Sequence, residues 1–136
     1  MPFVVDSSVT LAWLLPDEQY AGLDALADAL GTAPAHAPPL WSLEVSNALV
    51  TAQRRKRITE RELDKLLKIV DGLPIELDSA PPADIGRAVL ACARRFGLTT
   101  YDAAYLELAQ RLSLPLATID GPLADAARKA GVSVLP

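Results

Sequence analysis

Two short, largely apolar runs, Phe3-Val4-Val5 and Leu116-Ala117-Thr118-Ile119, each end in an aspartate and lead into a helical stretch. This recurrence limits the fold more than any other feature. A continuous run of this kind, closed by small polar residues, fits a strand covered on both faces, as strands in parallel sheets are. Parallel strands need long crossovers, and the intervening segments supply them. Helical spacing of apolar residues marks Val9 to Leu15, Glu18 to Leu30, the stretch opened by Trp41-Ser42, the stretch from Thr59 to about Val70, residues 83–96, Ala103 to Leu112 and Pro122 to Ala130. Further strands are expected at Ala35 to Leu40, Pro74 to Leu77 and Val132 to Leu135. Thr59 and Glu62 read as a capping box, and Gly31, Gly72, Gly97 and Gly131 stand where helices stop. Strands alternating with helices predict an α/β fold of three layers, with a mostly parallel central sheet and right-handed crossovers, all within one domain spanning residues 1–136.

Within that frame four acids stand out. Asp6 and Asp120 follow strands in equivalent contexts, Asp102 opens the helix that follows Thr99-Thr100, and Glu44 lies in the first turn of its helix with Asn47 on the same face. Ligands in open α/β sheets bind outside the carboxyl ends of the strands, so acids there stand at the rim of a cleft. Each acid taken alone also fits a helix N-cap or a partner for the helix dipole. Glu44 is the least comfortable as a cap, because it sits inside its helix. If all four share one cleft they repel: two like charges about 4 Å apart cost about 1 kcal/mol in water and roughly 4 kcal/mol at an effective dielectric of about 20. A divalent cation offsets that cost, and it also lowers the pKa of a bound water and neutralises charge building on a phosphodiester.

Other chemistries are poorly supplied. The one cysteine, Cys92, falls in a helical pattern and reads as a small buried hydrophobe, and the one histidine, His36, has no second His or Cys nearby. Hydrolytic chemistry here therefore runs on carboxylates, whose oxygens select hard cations such as Mg²⁺ or Mn²⁺. The N-terminus lacks a basic region and carries Asp6 inside its apolar stretch, and no segment approaches the roughly 18 apolar residues of a membrane span, so a soluble, cytoplasmic protein is expected. With 13 basic against 17 acidic residues the net charge is −4, which argues against a broadly basic nucleic-acid surface. The dense basic run is Arg54-Arg55-Lys56-Arg57, which reads either as RNA-contacting or as a solvated helix end complementing its dipole; Arg94-Arg95 ends a helix in the same way.

Val4-Val5-Asp6-Ser7-Ser8, the segment Leu40 to Leu49 around Glu44, Thr99-Thr100-Tyr101-Asp102-Ala103-Ala104-Tyr105, and Leu116-Ala117-Thr118-Ile119-Asp120 with Leu123 and Ala126-Ala127 together resemble the PIN-domain family, specifically VapC-type toxins. The resemblance spans essentially the whole chain. It implies a ribonuclease of α/β/α architecture that uses Mg²⁺ or Mn²⁺ to cut RNA, is restrained by a VapB-like antitoxin and assembles as a homodimer. By matching position it implies Asp6 and Asp102 as principal metal ligands, Asp120 and Glu44 completing the pocket, and Ser8, Asn47 and Thr118 orienting ligands or water. Two rivals stand beside it: a PIN fold that binds without cutting, and a phosphatase-like α/β domain using Asp6. The second is weakened because Asp6-Ser7-Ser8 lacks a second acid two residues on.

Overall fold

A computed structural model describes residues 1–17 and 20–136. The elements run β1 (Val4–Val5), α1 (Ser7–Leu14), α2 (Leu23–Ala29), β2 (Ala35–Ala37), α3 (Leu40–Arg54), α4 (Glu60–Gly72), β3 (Ile75–Leu77), α5 (Pro82–Phe96), α6 (Thr100–Leu112), β4 (Leu116–Ala117), α7 (Gly121–Lys129) and β5 (Val134–Leu135). The strands form a single sheet in the order β3-β2-β1-β4-β5, and every pairing is parallel rather than most of them. The chain steps outward from β1 through β2 to β3, then returns to lay β4 on the other side of β1. The boundary between β1 and β4 is therefore the point where strand order reverses, the usual seat of ligands in such sheets.

Right-handed crossovers put α1 and α7 on opposite faces, since their connections travel in opposite directions. Packing agrees: α1 lies on α2 and α3 and α3 on α4, whereas α6 lies on α5, α7, β1 and β4. The core between these layers is aliphatic, with Val4, Val5, Val9, Val45, Leu49, Leu106 and Leu116 all fully buried. Each such side chain contributes about 1.5–3 kcal/mol through burial. Helix α6 is the most enclosed, for every residue from Ala103 to Ala109 is buried.

Helices α2, α3 and α6 start elsewhere than expected. The helix expected from Glu18 begins only at Leu23, because Gly22 adopts φ 88° and a β-carbon there would stand 2.6 Å from Cβ of Pro136; Glu18 and Gln19 lie outside the described residues. Helix α3 starts at Leu40, so Glu44 falls in its second turn rather than its first. Helix α6 starts at Thr100, because the Thr99 hydroxyl accepts the Asp102 N–H and caps it, leaving Asp102 inside the first turn. The capping box of Thr59 and Glu62 forms as expected.

One buried polar relay ties α3 to α1. The Trp41 indole N–H donates to Thr10 Oγ1 at 2.9 Å, and the Thr10 hydroxyl donates to the Asp6 carbonyl, also at 2.9 Å. Replacing Thr10 by the similarly shaped valine strands the Trp41 N–H in an apolar layer. The Thr10→Val variant is expected to lose about 1–3 kcal/mol of stability, read as a lower urea midpoint at unchanged slope.

Candidate metal centre

Asp6 leaves β1 in extended conformation and caps α1, its Oδ1 accepting the Val9 N–H at 3.0 Å. The parallel register Val5↔Ala117 sets Asp6 opposite Thr118 on the neighbouring strand. Across that gap the Thr118 hydroxyl donates to Asp6 Oδ2, while the Ser8 hydroxyl donates to Oδ1 at 2.6 Å. The same two hydroxyls also bind the far side: Ser8 Oγ accepts the Ile119 N–H at 3.1 Å, and Thr118 Oγ1 accepts the Asp120 N–H at 3.0 Å. Asp6 is thereby fixed at 3% exposure, with its charge met by two hydroxyls and an amide and, among the described residues, by no cation.

The other three acids arrive from three further elements. Asp120 follows β4 and caps α7, accepting the Leu123 N–H at 2.9 Å. Asp102 comes from the first turn of α6, and Glu44 projects from α3 to accept a hydrogen bond from the Tyr105 hydroxyl of α6. Their fields overlap. Burial lifts the Asp6 carboxyl above its ordinary range against the pull of its hydrogen bonds, and the Asp120 charge adds to the rise. Burial likewise raises Glu44, with Asp102 and Asp6 both adding to it, and raises Asp102, with Asp120 adding. Asp6 thus feels Asp120, Glu44 feels Asp102 and Asp6, and Asp102 feels Asp120, which links the four acids near the carboxyl ends of β1 and β4.

This is a donor set suited to a hard divalent cation, all oxygen and carrying repulsion that a cation relieves. Among the described residues no three acidic, histidine or cysteine side chains already form a ligand cluster. The fold supplies convergent charge around one anchored carboxylate. Ser8 and Thr118 bind Asp6 directly, whereas Asn47 is exposed one turn beyond Glu44 and makes no hydrogen bond among the described residues. His36 lies in β2, its ring 4.0 Å from Glu76, and Cys92 is buried with its thiol pushed up by desolvation.

Residues 3–129 match the PIN domain. The chain belongs to the PIN-domain family. It is 31% identical over 126 residues to a protein named Ribonuclease VapC3 of Pyrobaculum aerophilum, covering 92% of this chain and 94% of that one. Its fold is similar to that of FitAcB from Neisseria gonorrhoeae, with TM-score 0.69 at 18% identity over 100% of this chain and 97% of the other. It is also similar to PAE2754 from Pyrobaculum aerophilum, with TM-score 0.67 at 23% identity over 98% and 89%.

In this PIN domain the basic run stands apart from the acids. Helix α3 carries Arg54 ten residues past Glu44, about 15 Å along the axis. Arg57 is paired with Asp17 at 2.8 Å, while Arg54, Arg55 and Lys56 are exposed. Arg94 is exposed at the end of α5, and Arg95 stacks over the Phe96 ring at 5.3 Å. Two partners of the acids escape a reading of the sequence. Thr10 looks like any helical threonine, and Tyr105 like a core aromatic, though its spacing three residues after Asp102 puts both on one face of α6.

Because Asp102 has a raised carboxyl, the folded metal-free protein holds its proton to higher pH than the unfolded chain, whose value is near 3.8. Stability from this group is present below that value and is lost as pH rises through the folded one. In EDTA at neutral pH, Asp102→Asn is expected to melt above wild type by on the order of 1 kcal/mol. The gain should shrink on acidification toward the unfolded value, as followed by thermal melts across pH.

Proposed function

We propose that this PIN domain is an Mg²⁺- or Mn²⁺-dependent endoribonuclease, the toxin of a VapBC-type toxin–antitoxin pair, hydrolysing RNA phosphodiester bonds. The observation that carries the reading is the mutual electrostatic coupling of Asp6, Glu44, Asp102 and Asp120 at the reversal point of a parallel sheet. Similarity to a protein named a ribonuclease, along almost the full length of both chains, supports it.

In this reading Asp6 and Asp102 hold the cation, and Asp120 and Glu44 complete the pocket. When bound there, the cation supplies a water of lowered pKa and neutralises charge on the scissile phosphate. The chain's own part is orientation: Ser8 and Thr118 lock the Asp6 carboxylate, so the pocket is preorganised around one fixed anion. Asn47, exposed on the face of Glu44, contacts substrate or its water. Arg54, Arg55 and Lys56 bind the RNA backbone away from the cut, with Arg57 committed to Asp17.

A VapB-like antitoxin and a second copy of the chain are the proposed protein partners. Large apolar side chains left exposed, among them Leu43, Ile69, Leu90 and Tyr101, give such partners a surface to cover. FitAB, whose fold is similar with TM-score 0.64 at 20% identity, has been solved bound to a DNA fragment. Among the described residues no helix is long and apolar enough to cross a membrane, and we assign the protein to the cytoplasm. A rival reading, a PIN fold that binds without cutting, draws on the lack of a formed ligand cluster among the described residues.

Cleavage assays separate the two. Wild type is expected to cut RNA in Mn²⁺ and to lose that activity in EDTA, and Asp6→Asn to fall by at least about a hundredfold while remaining folded. Mn²⁺ at about a hundred times its dissociation constant should stabilise wild type by about 2.7 kcal/mol, seen as a higher melting temperature. Retained cleavage by Asp6→Asn removes Asp6 from the site, and wild type that neither binds Mn²⁺ nor cuts favours the rival.

The basic run has its own test. On an Asp6→Asn background, replacing Arg54, Arg55 and Lys56 with Gln is expected to flatten the slope of log affinity against log salt for single-stranded RNA by up to about 2. An unchanged slope makes the run a solvated helix end.

A further inference from the structure

Across the cleft, the Tyr105 hydroxyl of α6 donates to the Glu44 carboxylate of α3. Tyr105 is 1% exposed and sits in the middle of the buried stretch Ala103 to Ala109, with Leu106 and Leu108 fully buried around it. Its ring therefore has one place to be. Its hydroxyl emerges at the cleft floor and donates to Glu44 Oε1, within reach of the Asp6 charge and beside the Ser7 hydroxyl. Glu44, by contrast, stands on a half-exposed face of α3 between the 76%-exposed Leu43 and the core residue Val45. A long carboxylate side chain in that setting has several rotamers open to it, and the Tyr105 bond selects one. Among the described residues only Oε1 accepts a hydrogen bond, and Oε2 accepts none.

We propose that Tyr105 is a positioning residue, whose hydroxyl holds the Glu44 carboxylate in the orientation from which it helps bind a divalent cation. The inference rests on the ribonuclease reading above, in which Glu44 belongs to the metal pocket. It differs from the ordinary need of a buried tyrosine for an acceptor. A tyrosine that only satisfies its hydroxyl affects stability, whereas a positioning tyrosine affects metal affinity through Glu44 and through nothing else.

The test is a double-mutant cycle in which isothermal titration with MnCl₂ is run on wild type, Tyr105→Phe, Glu44→Gln and the double variant, with melts in EDTA as the folding control. Tyr105→Phe keeps the ring and is expected to weaken Mn²⁺ by about tenfold, as loss of a partner that orients a ligand does. Added to Glu44→Gln it should change the affinity less than about twofold, because the residue it acts through is already disabled. Should Tyr105→Phe fail to fold, Glu44→Asp, which keeps the charge but withdraws it from the hydroxyl, is expected to weaken Mn²⁺ by a similar factor. Mn²⁺ affinity in Tyr105→Phe equal to wild type overturns the proposal, as does a loss that adds in full to that of Glu44→Gln. Wild type that binds no Mn²⁺ at millimolar concentration overturns the ribonuclease reading itself, and this proposal with it.

Discussion

A carboxylate with almost no access to water has to be held by something, and in this PIN domain the holding of Asp6 joins the two strands on which everything else is hung. Its oxygens are met by a hydroxyl from its own helix, by an amide of that helix's first turn and by a hydroxyl from the neighbouring strand. That last donor is in place only because Val5 pairs with Ala117. A slip of one residue would turn Thr118 to the other face of the sheet and leave Asp6 half-satisfied. Register, helix capping and the site are therefore one construction, and the site cannot be loosened without loosening the sheet.

The same chain buries a second carboxylate by other means. Glu107, 8% exposed on α6, meets the Arg111 guanidinium at 2.8 Å, and that guanidinium also forks onto Asp78 at 3.2 and 2.7 Å. Here a cation answers the charge: Arg111 serves both carboxylates and holds the Asp78 carboxyl below its ordinary range. Among the described residues no cation meets Asp6, and the carboxyls of Asp6, Glu44 and Asp102 all rise. Away from the cleft two acids share an arginine, whereas among the described residues no basic side chain pairs with the four acids of the cleft.

Much of this was legible in the residues. The strand-then-aspartate recurrence gave Asp6 and Asp120 their equivalent seats, because both the strand run and the cap that follows it are local patterns. That each aspartate serves as cap and cleft acid together was harder to read, since the cap alone accounts for the residue. Glu44 was legible as an acid on the wrong side for a cap, but its partner was not: Tyr105 lies 61 residues further along and meets it only after both helical layers have closed on the sheet. The late start of α2 was equally out of reach, because it depends on Gly22 passing close to Pro136 at the far end of the sequence. Local patterns give the elements and their chemistry, and long-range packing decides where helices begin and who holds whom.

Helix α4 contributes no fully buried residue. Leu63, Leu66, Leu67 and Val70 only lean on the core, while a capping box secures its start and its outward face is charged. Such an element belongs to the low end of the range of local stabilities in a folded chain, and its amides should exchange with solvent through openings that leave the rest intact. Since none of the four acids lies on α4, the protein can breathe along that edge while its cleft stays shut, and sequence drift there is free of the constraint that binds Asp6 to Thr118.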